Sequence, residues 1–119
     1  MIEYINPNVS EKIIFVNIKN SYACTDKTSI FYRPNVYEAT RKYWRLSISR
    51  ARKASLLIGH VDGAIKEVIK PTNCMETNEP GLSKRIVFDG KEILDSEYLG
   101  KLITNIVKIG QNPVNYYNL

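Results

Sequence analysis

The chain has 119 residues, of which 44% are hydrophobic and 24% charged, so it can bury one core but is too short for two ordinary domains. Its mixed charges argue against global disorder, and no apolar run reaches the roughly 18 residues that a membrane-spanning helix needs. The formal net charge of +5 favours partners that carry phosphate groups. We therefore predict a single domain over residues 1–119 that does not enter a membrane.

The predictions of cellular location and of metal content depend on few residues. Residues 1–4 lack the basic region and the apolar stretch of a signal peptide. Cys24 and Cys74 are too few and too far apart to indicate a disulfide framework or a metal pair, and His60 is the only histidine. The sequence thus predicts a cytoplasmic protein with no metal and no cofactor.

The first elements in chain order are strands. The run from Ile13 to Val16 is apolar and β-rich, which predicts a buried strand. A brief strand over residues 30–32 would stop before Pro34, because proline cannot donate to a ladder hydrogen bond.

A basic helix is predicted next. Asn35 followed three residues later by Glu38 forms a capping-box pattern, which predicts a helix that continues to about Leu46. Ser47 or Ser49 would then cap a second, shorter helical turn through residue 54.

The Asp62-Gly63 pair predicts a hairpin, because β-type runs flank it and a type I′ turn needs positive φ at both central residues. That register pairs His60 with Ile65 and Ile58 with Glu67. His60 and Glu67 would then lie diagonally on one face of the sheet.

The C-terminal half predicts more antiparallel structure. Asp89-Gly90 is also flanked by β-type runs and predicts a second tight turn. Residues 102–109 are compatible with helix or strand, and residues 113–117 predict a closing edge strand. Together these elements predict an α+β domain, a small antiparallel and partly closed β-barrel with one or two flanking helices.

Several segments resemble a small domain of bacterial and phage proteins near the PUA-like group, which includes the ASCH and EVE domains. The segments are Tyr37–Trp44, Arg50–Ala54, Asp62-Gly63, Phe88–Gly90, Tyr98–Lys101 and Gln111–Tyr116. The resemblance implies a compact β-barrel with flanking helices that binds RNA, modified bases or nucleotide-like ligands.

Candidate ligand-binding residues cluster on the predicted helix. Tyr37, Arg41 and Trp44 would form one narrow ridge on the helical wheel, where an aromatic ring and a guanidinium can meet a planar anion. Arg45 is a further candidate beside them. The alternative is that Trp44 is buried and Arg41 packs over it by its aliphatic stem.

Other basic residues give weaker candidates. The cluster of Arg50, Arg52 and Lys53 is a candidate for contact with nucleic acid, or else a solvated surface. Lys101 after Gly100 could bring an ammonium and backbone N–H groups to a phosphate, or simply follow a required glycine.

Catalytic motifs are mostly missing from the sequence. It has no Walker-type glycine loop and no nucleophile elbow. Asp62 with Glu67 and Lys70 has the residue types of a restriction-type nuclease centre, but with one residue too many between the last two. His60 and Glu67 are further candidates for ligand contact, and they could still act as an acid–base couple.

We therefore predict a non-catalytic binding domain for nucleic acid, a modified base or a phosphate-bearing nucleotide. One alternative is a phage-encoded anti-defence protein that sequesters a nucleotide signal or binds a host protein. A second is an enzyme that acts on a nucleotide with His60 and Glu67. A third is an adaptor whose basic face meets an acidic protein.

Overall fold

The computed structural model describes residues 2–119, which form one five-stranded sheet and three short helices. The strands are β1 (Ile13–Asn17), β2 (Leu56–Val61), β3 (Ala64–Glu76), β4 (Ile86–Glu92) and β5 (Val114–Tyr117). The helices are α1 (Lys19–Tyr22), α2 (Val36–Arg41) and α3 (Ile48–Ala51). The strand order is β4-β3-β2-β1-β5. The predicted α+β class is thus confirmed.

The sheet is mixed rather than antiparallel. β1 pairs with β2 in parallel, while the other neighbouring pairs are antiparallel. A parallel pair needs a long crossover, and all three helices lie in the connection between β1 and β2. The sheet is open, with β4 and β5 as its two edges, so these strands do not form a closed barrel.

Each face of the sheet carries its own apolar cluster. The first lies under α2 and α3, whose residues Ala39 and Ala51 pack on Leu57, Ile69 and Phe88. Gly59 allows this approach, because a Cβ there would clash with Oγ1 of Thr40 on α2. The second cluster is formed on the opposite face by Ile5, Phe15, Ile58, Val68, Tyr98 and Ile103, among others.

The predicted turn at Asp62-Gly63 is confirmed. Its φ angles are 46° and 103°, as a type I′ turn requires, and His60 pairs with Ile65 as expected.

The rest of that predicted register is wrong by one residue. Ile58 pairs with Val68, and Glu67 pairs with Gly59, because the register shifts between Gly59 and His60. Two residues of β2 here face three of β3, which leaves Lys66 as the extra residue of a β-bulge.

The second predicted turn, at Asp89-Gly90, is wrong. The pair lies inside β4, where Gly90 is opposite Pro71 of β3. The glycine serves close packing instead, since a Cβ at this position would lie 2.6 Å from the carbonyl oxygen of Lys70. The hairpin between β3 and β4 is closed by the longer loop of residues 77–85.

The predicted long helix is also wrong in its extent. Asn35 caps α2 as expected, by accepting a hydrogen bond from the N–H of Glu38 at 2.8 Å. However, α2 ends at Arg41, and Lys42 is extended. Trp44 instead joins Ile86 in a β-bridge, whose two N–H to O distances are 3.1 and 2.8 Å. Tertiary hydrogen bonding therefore overrides the helical pattern.

The later elements agree better with the sequence. Ser47 caps α3 by accepting a hydrogen bond from the N–H of Arg50 at 3.2 Å, and β5 is the predicted edge strand. Among residues 2–119 there is no helix with both the length and the apolar character needed to cross a membrane.

Candidate ligand-binding cleft

A cleft of about 930 Å³ opens where β1 ends and β5 begins. These two ends lie together because the strands are antiparallel neighbours. One wall is the extended segment of residues 42–45 that follows α2, and another is the loop that precedes β4. We call this space the basic cleft.

The basic cleft combines positive charge with aromatic rings. Its cations are Arg33, Lys42, Arg45 and Arg85, against a single acid, Glu79. Phe31, Tyr43 and Trp44 also line it. The cleft therefore has the composition of a site for a planar anion.

Two of the four cations are already engaged. Lys42 forms an ion pair with Glu38, with 2.9 Å between Nζ and Oε1. Arg33 donates from Nη1 to the carbonyl oxygens of Ile30 and Tyr32, at 3.0 and 2.7 Å. Both side chains thus help to shape the walls.

The other two cations are not engaged. Within residues 2–119, Arg45 and Arg85 form no ion pair and no side-chain hydrogen bond within the protein. Arg45 is exposed and Arg85 is half-buried. Their guanidinium groups are therefore available to a ligand as hydrogen-bond donors.

Tyr43 joins the two walls. Its hydroxyl donates to Oε1 of Glu79 at 2.8 Å, and its ring lies 5.1 Å from the guanidinium carbon of Arg33. Nζ of Lys42 is 5.4 Å from the same ring. Partial burial and the hydrogen bond to Glu79 raise the pKa of the Tyr43 hydroxyl, so it stays protonated.

Trp44 is held from within the fold. Its indole Nε1 donates to the carbonyl oxygen of Thr40 at 2.7 Å, which satisfies an orphan acceptor at the end of α2. The side chain packs against the first core cluster while it also lines the cleft. Trp44 is therefore partly buried, whereas the alternative expected it to be buried under Arg41, and its predicted contact with a ligand stays a prediction.

The predicted ridge of Tyr37, Arg41 and Trp44 is not formed, because Trp44 lies beyond the end of α2. Arg41 faces β4 instead. It donates from Nε to the carbonyl oxygen of Phe88 at 2.8 Å, and from Nη2 to Asp89 at 2.7 Å. Its third contact, from Nη1, is to Glu38 at 3.1 Å.

Tyr37 also attaches α2 to β4. Its hydroxyl donates to the carbonyl oxygen of Gly90 at 3.2 Å and accepts from the N–H of Gly90 at 3.3 Å. We call Tyr37, Glu38 and Arg41, with residues 88–90, the α2 latch. The latch fixes α2 to the edge strand β4, and none of its residues lines the basic cleft.

His60 is buried, with 1% of its surface exposed, and is not part of the cleft. Its Nδ1 accepts a hydrogen bond from the N–H of Gly63 at 3.0 Å, while its Nε2 has no partner. Burial lowers the pKa of His60 to about 4, so the ring is neutral at pH 7.

Glu67 is buried as well, with 2% of its surface exposed. Its Oε1 accepts from the N–H of Val68 at 3.0 Å, and its Oε2 has no partner. Burial and then the neighbouring Glu92 raise the pKa of Glu67 to about 8. His60 and Glu67 are not hydrogen-bonded to each other, so the predicted acid–base couple is not assembled.

The remaining predicted residues lie outside the cleft. Lys101 is 3.9 Å from Glu3, and its N–H donates to Tyr98. The N–H of Gly100 donates to Ile65, so these backbone donors are already used. Near α3, the guanidinium of Arg50 lies 4.5 Å from a tyrosine ring of β5, while Arg52 and Lys53 are exposed.

Sequence reasoning found only part of the cleft. It predicted Trp44 and Arg45, but missed Phe31, Tyr43 and Arg85 as members of a site. Arg85 adjoins a predicted strand, and nothing in the sequence links it to position 45. The link is the β-bridge described above, which joins segments more than 40 residues apart.

No family model, no curated protein and no solved structure matches this chain. Within residues 2–119 there is also no group of three or more His, Cys, Asp or Glu residues arranged to hold a metal ion.

Proposed function

We propose that this protein is a non-catalytic binding domain and that its basic cleft binds a nucleotide or a short stretch of nucleic acid. One observation carries the proposal: four cations, one acid and three aromatic side chains line the same cleft of about 930 Å³. Pockets for small ligands have volumes of roughly 300–1,000 Å³. The cleft is thus large enough for a base, a sugar and phosphate.

The chemistry of the lining suits both halves of such a ligand. Aromatic faces stack on bases without requiring a particular sequence, and each stacked base contributes about 1–3 kcal/mol. Guanidinium groups match the geometry of phosphate oxygens and can bind them in a bidentate way. Phe31, which is 46% exposed, offers an aromatic surface to an incoming base.

The resemblance to the PUA-like group supports the same proposal, since members of that group bind RNA, modified bases or nucleotide-like ligands. The open sheet of this chain would then be a variant of the PUA-like barrel. An anti-defence protein that sequesters a nucleotide signal would use the same cleft and differ only in the origin of the nucleotide, whereas one that binds a host protein would not need it.

Catalysis by His60 and Glu67 is not favoured. Both side chains are almost fully buried, and burial favours the neutral form of each at pH 7. Neither lines the basic cleft, so a ligand there would not reach them.

The test uses Trp44, the single tryptophan of the chain, as a built-in reporter. Mononucleotides, single-stranded oligonucleotides and duplexes are titrated into the protein, and binding is followed by Trp44 fluorescence and by calorimetry. We expect saturable binding that Phe31→Ala weakens, while Ile106→Ala, another exposed apolar residue outside the cleft, leaves it unchanged. Polynucleotide binding should weaken steeply with salt. An absence of heat and of fluorescence change with every probe would overturn the proposal.

A further inference from the structure

Arg45 and Arg85 occupy opposite positions beside the β-bridge in the wall of the basic cleft. Trp44 and Ile86 exchange both backbone hydrogen bonds, at 3.1 and 2.8 Å, so they form a hydrogen-bonded antiparallel pair. In this register the residue after Trp44 stands opposite the residue before Ile86. Those residues are Arg45 and Arg85.

Both arginines line the basic cleft on the two chain segments that the bridge joins. Like charges directly opposite each other in an antiparallel pair are destabilising. Arg41 and Lys42, by contrast, are paired with carboxylates. The other opposed cations, Lys70 and Lys91 of β3 and β4, are exposed and lie outside the cleft. Within residues 2–119, no acid forms an ion pair with Arg45 or Arg85.

We propose that Arg45 and Arg85 form a clamp for one terminal phosphate group. This inference deepens the proposed function by naming the part of the ligand that the two arginines bind. The claim that this ligand is a nucleotide rests on the proposed function. A terminal phosphate carries a charge of about −1.5 to −2 at pH 7, which matches two guanidinium groups. An internal phosphodiester carries only one negative charge, so the clamp favours nucleoside monophosphates and phosphorylated chain ends.

Positions beside one bridge allow the two arginines to share a single anion. Each guanidinium presents N–H donors in a planar fork, and two opposed forks can contact several oxygens of one phosphate. The β-bridge fixes the backbone of both residues before the ligand arrives. Binding therefore requires only that the two side chains be ordered, which limits its entropic cost.

The experiment compares AMP, GMP, CMP and UMP with their nucleosides by calorimetry at low salt, with inorganic phosphate as a separate probe. We expect the monophosphates to bind at least about tenfold more tightly than the nucleosides, as expected for charge-assisted hydrogen bonds. Arg45→Gln and Arg85→Gln should each remove most of this difference. The double variant Lys70→Gln/Lys91→Gln removes two exposed, opposed charges outside the cleft and should preserve it.

The outcomes separate the clamp from the proposed function. Equal affinity for monophosphates and nucleosides would overturn the clamp and leave nucleotide binding intact. Binding of inorganic phosphate that Arg45→Gln abolishes, without any binding of nucleosides or nucleotides, would support the clamp and overturn the nucleotide proposal. No binding of any probe would overturn both. Arg45 is exposed, so its variant keeps the test decisive even if Arg85→Gln does not fold.

Discussion

Arg41 and Arg45 are four residues apart, yet their surroundings are opposite. Arg41, at the end of α2, uses its guanidinium on Phe88, Asp89 and Glu38. Arg45, in the basic cleft, contacts no acid and no carbonyl within the described residues 2–119. The chain changes from helix to extended backbone between them, which turns one arginine toward β4 and the other toward the cleft.

This difference gives a criterion for separating cations that hold the fold from cations that remain available to a ligand. A guanidinium whose donors are satisfied by the fold stabilises the fold, because losing it leaves acceptors unpaired. A guanidinium held in a concave site without partners contributes no such contacts. The α2 latch and the basic cleft are therefore expected to respond differently to the same kind of substitution.

The largest effect is expected in the α2 latch. Arg41→Ala removes hydrogen bonds to a carboxylate and to a buried strand carbonyl, and should lower the free energy of unfolding by about 3 kcal/mol. Urea denaturation measures this loss, and Arg45→Ala is the matched control. Unchanged stability in Arg41→Ala, with weaker nucleotide binding, would instead make Arg41 a ligand residue and erase the contrast.

The next effect concerns the strand to which the latch is attached. Gly90→Ala places a Cβ against the backbone of Lys70, so it should destabilise the protein by about 2 kcal/mol through overpacking. Gly110→Ala is the control, since a Cβ there has no neighbour within 4 Å. Thermal denaturation of both variants checks the difference. Equal melting temperatures would mean that β4 can shift freely beneath α2.

The two Asp-Gly pairs show how far the sequence could predict this fold. Both have the local pattern of a type I′ turn, but only Asp62-Gly63 forms one. At Asp89-Gly90 the strand continues, and Gly90 instead gives room to Lys70 and accepts the Tyr37 hydroxyl at its carbonyl. A local pattern predicts a turn, but it carries no information about β3, which pairs with these residues and keeps them in β4.

Pairings between segments far apart in the chain are the second reason why the sequence could not predict the whole fold. The parallel pairing of β1 with β2 and the bridge between Trp44 and Ile86 join segments far apart in the chain. The helical periodicity of the sequence continues past Arg41, but in the structure residues 42–45 are extended and form a wall of the basic cleft. Trp44 and Arg45 could thus be predicted as candidates, but the cleft that contains them could not.

Glu67 extends the comparison to a buried acid without a cation. Its pKa is about 8 in the folded protein against 4.5 as the ordinary value, so the folded state binds the extra proton between these limits. Its contribution to stability is present below pH 4.5 and is lost as the pH rises through 8. The slope is at most about 1.4 kcal/mol per pH unit.

Urea denaturation of the wild type and Glu67→Gln between about pH 7 and 8 measures this contribution, because His60 is neutral in the folded state there and its remaining titration in the unfolded state is common to both proteins. The wild type should lose stability with rising pH, and Glu67→Gln should show a flatter profile. His60 acts in the opposite direction at lower pH: its folded pKa of about 4 makes it destabilising as the pH falls from 6.5. Identical profiles for the two proteins would mean that Glu67 is ionised in the folded state.

The smallest effect should appear in the basic cleft without ligand. Arg45 and Arg85 stand opposite each other beside the bridge of Trp44 and Ile86, so removing one charge relieves repulsion instead of breaking a contact. Arg45→Gln should therefore raise the free energy of unfolding by about 0.2–1 kcal/mol at low salt. Near 1 M salt, where the screening length is only about 3 Å, the gain should nearly vanish. Added phosphate should stabilise the wild type and not the variant, because only the wild type keeps both guanidinium groups. A loss of stability in Arg45→Gln at low salt would instead give Arg45 a structural role like that of Arg41, and the two regions would no longer differ.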